Sequence, residues 1–186
     1  MGEELSLAAI FRALAEGADL DQVRQRFGLT PEGLQNIFQE VADYYYNLEE
    51  GVWSLYCDGA SRGNPGPAGA GVVLLDPYGE VAVRNLEYLG PTTNNVAEYR
   101  GLLLGLKMAR NLGIKKIRVY SDSELLVRQI NGSYRVKKPH LLTLWQEARR
   151  QLQQFQTYEV THVPRGENHE ADRLANQAID QKTPAR

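Results

Sequence analysis

The sequence is poor in cysteine and in long apolar runs, and each shortage excludes a class of protein. Cys57 is the only cysteine among 186 residues, so an internal disulfide and a cysteine-rich zinc site are both excluded. The apolar runs at 72–75 and 102–104 are far below the ~20 residues that a membrane-spanning helix needs. The first residues lack the basic start and apolar core of a secretory signal. We therefore expect a cytoplasmic protein without membrane contact.

Charge divides the chain, although its overall composition is ordinary. Hydrophobic residues make up 42% and charged residues 24%, near the averages of a soluble globular protein. Residues 1–50 contain three basic and ten acidic residues (net −7), whereas residues 51–186 contain eighteen basic and thirteen acidic residues (net +5). This shift predicts two units with different roles, residues 1–50 and 51–180, with a loose tail at 181–186.

The acidic unit is predicted to contain three helices. Apolar residues recur there at helical spacing, Gly28 is placed to end a short helix, and Thr30 before Pro31 is typical of the start of the next one. The arrangement resembles a helix-turn-helix, which suggests DNA binding. Residues 29–46 contain no Lys or Arg, however, and their acidic side chains would repel phosphate. We favour the alternative, which is contact with a protein partner, self-association or packing.

The remaining sequence alternates predicted strands and helices. Three apolar segments joined by short connections come first, and short connections favour antiparallel neighbours. Single strands separated by helical segments follow. This order predicts an α/β domain with a mixed sheet and helices on its faces.

Four acidic residues lie at strand ends and helix starts in this pattern. Asp58 and Asp122 are predicted to end two strands, while Glu98 and Asp172 lie early in helices. If the two strands are parallel neighbours, their aspartates emerge at the same edge of the sheet, where α/β proteins usually place their sites. Taken singly, each acid has an ordinary alternative as a helix cap or as a partner of the helix dipole.

Together, the four acids indicate a metal site. Clustered carboxylates repel one another and usually need a cation. Because the set contains no cysteine or histidine, its ligands are hard oxygens, which suit Mg²⁺ or Mn²⁺ rather than zinc. Such a site is typical of two-metal nucleases and polymerases.

Four motifs within residues 53–180 resemble those of the type 1 ribonuclease H family, whose members cut the RNA strand of RNA–DNA hybrids. In family order they are YCDGASRGNPGPAGAG, TTNNVAE, YSDS and EADRLA. The resemblance implies a five-stranded mixed sheet, three antiparallel strands then two parallel ones, flanked by helices. It also implies that Asp58, Glu98, Asp122 and Asp172 are the catalytic residues and bind two Mg²⁺ ions, with Mn²⁺ as a substitute.

The resemblance further implies the chemistry and the partner. One ion would lower the pKa of a bound water and direct it at the phosphorus, and the other would stabilise the leaving 3′ oxygen. The products would carry a 5′ phosphate and a 3′ hydroxyl, and the partner would be an RNA–DNA hybrid. The glycine-rich segment 59–71 would be a loop whose backbone approaches the minor groove, where a 2′-OH is sensed.

Particular residues match positions that contact nucleic acid in the family. For three of them, at 93–95, capping of the following helix is the alternative. The implied contact residues are Gly59, Asn64, Thr93, Asn94 and Asn95.

The sequence departs from the family in two places. The basic, tryptophan-rich protrusion of many bacterial members is missing, and the connection at 131–139 keeps only a small basic cluster. The histidine that many members carry on a long loop has a near counterpart in His169, three residues before Asp172. His169 either assists catalysis or is a first-turn helix residue facing water, and the alternative residue to serve the phosphate is Arg165.

Three functions are compatible with these observations. A metal-dependent endonuclease that cuts the RNA of hybrids is the leading hypothesis, because all four acids are present. The first alternative is a non-catalytic nucleic-acid or protein-binding module on the same fold. The second is a nuclease that prefers double-stranded RNA.

Overall fold

The computed structural model describes residues 6–182, and the chain divides into two compact units, Met1–Leu48 and Glu49–Arg186. Residues 183–186 of the predicted loose tail lie outside the described residues. Within the described part of the chain, no helix is long and apolar enough to cross a membrane.

The first unit is helical, as its apolar spacing predicts. Its small core consists of Ile10, Ala13, Val23 and Leu34. Gly28 ends the second helix with a left-handed φ of 66°, which glycine adopts at little cost. The helices are α1 (Leu7–Ala15), α2 (Leu20–Phe27) and α3 (Pro31–Glu50).

A five-stranded mixed sheet forms the centre of the second unit, in the order β3-β2-β1-β4-β5. The first three strands pair antiparallel, and β1–β4 and β4–β5 pair parallel, which confirms the predicted sheet. The strands are β1 (Val52–Ser61), β2 (Gly66–Leu75), β3 (Val81–Thr92), β4 (Lys116–Ser121) and β5 (Thr157–His162).

Four helices flank this sheet. The main core lies where α4 packs against the sheet and α6 packs against α4, with Leu55, Val119, Leu102 and Leu106 fully buried. On the opposite face α7 lies against β2 through alanines, including Ala171 and Ala175. The helices are α4 (Asn94–Asn111), α5 (Glu124–Ile130), α6 (Pro139–Leu152) and α7 (His169–Asp180).

The glycine-rich segment 59–71 is a β-hairpin, so its prediction as a loop is wrong. β1 continues through Ser61 and β2 begins at Gly66, leaving only 62–65 as the turn. The glycines serve helix packing. A Cβ on Gly71 would lie 2.2 Å from the carbonyl oxygen of Ala171 in α7, so a side chain there would push the helix away.

The prediction that Asp58 ends its strand is also wrong. Antiparallel pairing with β2, including Asp58 opposite Gly71, extends β1 three residues beyond Asp58, to Ser61. The parallel pairing of β1 with β4 does end near this point, at Tyr56 opposite Tyr120. Asp58 therefore lies inside the hairpin, at the margin of the parallel ladder.

Candidate active site

All four carboxylates singled out in the sequence line one open cleft of about 320 Å³ in the second unit. Asp58 and Asp122 each lie two residues beyond the paired Tyr56 and Tyr120, so the sheet register itself brings them together. Glu98 comes from the second turn of α4 and Asp172 from the first turn of α7. The fold thus gathers residues from four separate motifs.

Two glycines let α4 approach β1 closely enough to place Glu98 beside Asp58. A Cβ on Gly59 would lie 2.0 Å from the carbonyl carbon of Ala97 and 2.2 Å from the nitrogen of Glu98. A Cβ on Gly101 would lie 2.3 Å from the carbonyl oxygen of Asp58. Any side chain at either position would separate the helix from the strand, so these glycines set the width of the cleft.

Hydrogen bonds orient both oxygens of Glu98. The side-chain amide of Asn94 donates to Oε1 over 2.8 Å, and the hydroxyl of Ser123 donates to Oε2 over 2.6 Å. The carboxylate therefore has a defined direction before any ligand binds.

Asp122 and Asp172 also accept hydrogen bonds, each from a residue of the segment that leads into α7. The side-chain nitrogen of Asn168 donates to Oδ1 of Asp122 over 2.7 Å. Arg165, whose side chain is 77% exposed, donates from Nη2 to Oδ1 of Asp172 over 2.8 Å. Arg165 lies in a short 3₁₀ turn, Arg165–Glu167, just before α7, and it lines the cleft.

Burial and repulsion between neighbouring carboxylates disfavour the ionised forms of Asp58 and Glu98. Burial, and then the charge of Asp122, raise the pKa of Asp58 to about 6, although a backbone hydrogen bond from Gly59 opposes the shift. Burial raises the pKa of Glu98 to about 7, with contributions from Asp58 and Asp122, against the lowering effect of the Ser123 hydrogen bond. A nearby cation would stabilise both ionised forms.

The donor set fits a hard divalent cation. It consists of carboxylate oxygens, and its two most desolvated members have raised pKa values. Among residues 6–182, no three Asp, Glu, His or Cys side chains form a metal-binding group as they stand. The amide of Asn94, the hydroxyl of Ser123 and the guanidinium of Arg165 instead donate hydrogen bonds to oxygens of Glu98 and Asp172.

The predicted substrate-contact residues meet where the hairpin touches α4. Oδ1 of Asn64 accepts the backbone N–H of Asn94 over 3.3 Å. Thr93 occupies the N-cap position of α4, but its side chain makes no capping hydrogen bond. Asn64 therefore caps this helix in place of Thr93. Asn95 lies in the first turn of α4, and Gly59 and Asn94 line the cleft.

His169 lies outside the carboxylate cleft. It is the exposed first residue of α7, and it lines a neighbouring pocket of about 370 Å³ with Tyr56 and Arg84. Its Nδ1 lies 3.0 Å from the carbonyl oxygen of Gly166. This position matches the helix-start alternative, and a part in catalysis stays a prediction.

Sequence reasoning missed Ser123, Asn168 and Asn176 as components of the site. Ser123 directly follows Asp122, and Asn168 and Asn176 lie one helical turn before and after Asp172. The four-residue spacing of Asn168, Asp172 and Asn176 is a usable signal, since residues four apart on a helix share a face.

Comparisons with known proteins match the second unit. The profile of the reverse transcriptase-like family covers residues 56–178. The crystal structure of RNase H1 from Halobacterium salinarum has a TM-score of 0.69 and 40% identity, covering 70% of this chain and 99% of that one. This chain belongs to the ribonuclease H family. The predicted resemblance and fold are thereby confirmed, and members of this family depend on divalent metal ions.

Two further relatives match the same unit. LC11-RNase H1, solved in complex with an RNA/DNA hybrid, has a TM-score of 0.66 and 40% identity, covering 69% of this chain and 97% of that chain. The bifunctional protein Rv2228c of Mycobacterium tuberculosis is 48% identical over 127 residues, which is 68% of this chain but 35% of the relative. This chain thus spans about a third of the length of that curated relative.

Proposed function

We propose that this chain is a metal-dependent endonuclease that hydrolyses the RNA strand of RNA–DNA hybrids. The observation that carries the proposal is the meeting of four carboxylates from four family motifs in one cleft. The relative solved with an RNA/DNA hybrid supports the choice of substrate. The family assignment supports hydrolysis over the non-catalytic alternative, because no acid of the set is missing.

The carboxylates would hold two Mg²⁺ ions, with Mn²⁺ as a substitute. When bound, such ions supply an activated water and stabilise the leaving 3′ oxygen, which gives 5′-phosphate and 3′-hydroxyl ends. Asp58 would contribute the most buried carboxylate, 8% exposed. Asn94 and Ser123 donate to the two oxygens of Glu98 and so fix the direction of this carboxylate before a substrate binds.

Arg165 would contact the substrate phosphate at the rim of the cleft. Its guanidinium is exposed and lies among the carboxylates, so it offsets part of their negative charge toward a phosphate. The hairpin turn with Asn64, held against α4, would face the minor groove. Gly59, Thr93, Asn94 and Asn95 remain predicted contacts.

The test is a panel of matched RNA–DNA, RNA–RNA and DNA–DNA duplexes incubated with the full chain and Mg²⁺, Mn²⁺ or EDTA. We expect metal-dependent cutting of the RNA in the hybrid, with products that a 5′-phosphate-dependent exonuclease degrades. Faster cutting of the RNA–RNA duplex would favour the double-stranded RNA alternative. Failure of the folded protein to cut any duplex would favour the binding module.

For the first unit we propose contact with a protein partner or self-association. Leu7, Phe11, Val41 and Tyr45 line an apolar groove of about 480 Å³ between α1 and α3. Light scattering of the full chain, beside its Phe11→Ser and Tyr45→Ser variants, tests self-association. A monomer at all concentrations would leave the protein-partner alternative. The cytoplasmic location also stays a prediction.

A further inference from the structure

Asn168 links three elements of the ribonuclease H cleft. It lies directly before α7, one turn ahead of Asp172, and it is only 1% exposed. Its side-chain nitrogen donates to Oδ1 of Asp122 over 2.7 Å and to the carbonyl oxygen of Cys57 over 3.1 Å. Cys57 immediately precedes Asp58, so one amide group joins β1, the end of β4 and the start of α7.

The chemistry of its partners fixes the orientation of this amide. A carboxylate oxygen and a backbone carbonyl both accept hydrogen bonds, so only the NH₂ group of Asn168 satisfies them. Its Oδ1 then points elsewhere, and within residues 6–182 this buried oxygen has no hydrogen-bond donor. Both N–H groups of the amide thus donate to atoms that adjoin Asp58 or belong to Asp122, which a side chain that only filled space would not do.

We propose that Asn168 is a positioning residue for catalysis, holding the carboxylate of Asp122 in its working direction and in register with Asp58. The inference rests on the proposed nuclease function. Asn168 does not need to touch the substrate. It acts through Asp122, in the way that outer hydrogen-bonding partners orient metal ligands.

Two substitutions separate this role from simple packing. Asn168→Leu keeps the branched shape and the number of side-chain heavy atoms but removes both donors. Asn168→Asp keeps the shape but places an oxygen against two acceptors. For both variants we expect kcat on hybrid to fall on the order of 10- to 100-fold, with KM within about twofold.

The second measurement is Mg²⁺ binding without substrate, by isothermal titration with the metal alone. We expect Asn168→Leu, which adds no charge, to bind Mg²⁺ on the order of 10- to 100-fold more weakly than the unaltered chain. Both variants should remain folded at the assay temperature, although each leaves Oδ1 of Asp122 and the carbonyl oxygen of Cys57 without their donor. Asn131→Leu is the matched control, because Asn131 also makes a long-range amide-to-carbonyl bond, to Val160 over 2.8 Å, away from the cleft.

The outcomes separate this inference from the proposed function. If the unaltered chain cuts hybrid and Asn168→Leu keeps its kcat and Mg²⁺ affinity within twofold, Asn168 is not a positioning residue and the nuclease function stands. If Asn168→Leu loses activity only in step with lost folding, its role is structural and the inference is overturned. If the unaltered chain neither binds Mg²⁺ nor cuts, the proposed function fails first.

Discussion

The hydroxyl of Ser123 donates a hydrogen bond to Oε2 of Glu98 over 2.6 Å, which connects the start of α5 to α4. The same hydroxyl accepts the backbone N–H of Leu126 and so caps α5. One small side chain next to Asp122 therefore orients a carboxylate and begins a helix. The pKa of Glu98 depends on this contact, since the hydrogen bond lowers a value that burial raises.

Removing this hydroxyl should shift the pH dependence of activity. In Ser123→Ala the pKa of Glu98 rises above its value of about 7, because the bond that lowers it is gone. At subsaturating Mg²⁺, where protons compete with the metal for Glu98, we expect the acidic limb of kcat/KM to move to higher pH, and the cap loss to cost about 1 kcal/mol of stability. The measurement is a pH–rate profile from pH 5 to 9. Ser123→Thr, which keeps a hydroxyl, should retain the original limb; an unmoved limb in Ser123→Ala contradicts the coupling.

Asp58→Asn should stabilise the protein without metal while removing activity. The folded-state pKa of about 6 exceeds the usual 3.8, so between these values the folded state binds more protons than the unfolded state. Stability without metal therefore falls as pH rises through this window, and the deficit persists above pH 6. We expect Asp58→Asn to gain about 1 to 3 kcal/mol at pH 8 and little near pH 4.

Denaturant unfolding in EDTA at the two pH values checks this prediction. Asp43→Asn, at an exposed position of α3, serves as the control and should show no such pH-dependent gain. An Asp58→Asn protein no more stable than the unaltered chain at pH 8 would contradict the burial and repulsion inferred for the cleft.

Asp58 and Asp122 show how far the sequence could predict the site. Both were expected at strand ends; Asp122 does directly follow β4, whereas Asp58 lies inside β1. The motifs were sufficient to single out the four carboxylates. The order of strand and helix periodicity along the chain was sufficient to predict the mixed sheet. They did not show that β1 continues past Asp58, since that extension depends on pairing with β2. Glycine-rich sequence has low strand propensity, so tertiary pairing alone specifies this strand.

The orienting contacts could not be predicted for a related reason. Ser123 and Glu98 are 25 residues apart, and Asn168 and Asp122 are 46 apart. Hydrogen bonds between distant segments are set by the packing of the helices on the sheet rather than by local pattern. The cap of α4 is an example, because Asn64 in the hairpin replaces the adjacent Thr93.

Gly59→Ala should damage folding and activity together. The new Cβ would meet the backbone of Ala97 and Glu98 at 2.0–2.3 Å, and backbone cannot rotate away as a side chain can. We expect a loss of at least about 1 to 3 kcal/mol in unfolding free energy, with a lower kcat in the protein that remains folded. Gly166→Ala, where a Cβ has open space, is the control and should change stability little. Equal stability of both variants would contradict the close helix–strand approach.

Arg165→Ala should weaken substrate binding with little effect on stability. The Arg165 side of its ion pair with Asp172 is 77% exposed, so loss of the pair should cost less than about 1 kcal/mol. If Arg165 contacts a phosphate, the slope of log affinity against log salt should fall by about one. Fluorescence anisotropy with labelled hybrid in Ca²⁺, from 50 to 300 mM salt, measures this slope. An unchanged slope would remove Arg165 from the substrate contacts.

The most direct test of the central claim is a cleavage assay on an RNA–DNA hybrid with the full chain and its Asp58→Asn variant, each with Mg²⁺ and with EDTA. The proposed site predicts RNA cleavage only by the unaltered chain and only with metal, while both proteins remain folded. Equal cleavage by Asp58→Asn, or cleavage that persists in EDTA, would contradict the assignment of the four carboxylates as a metal-dependent active site.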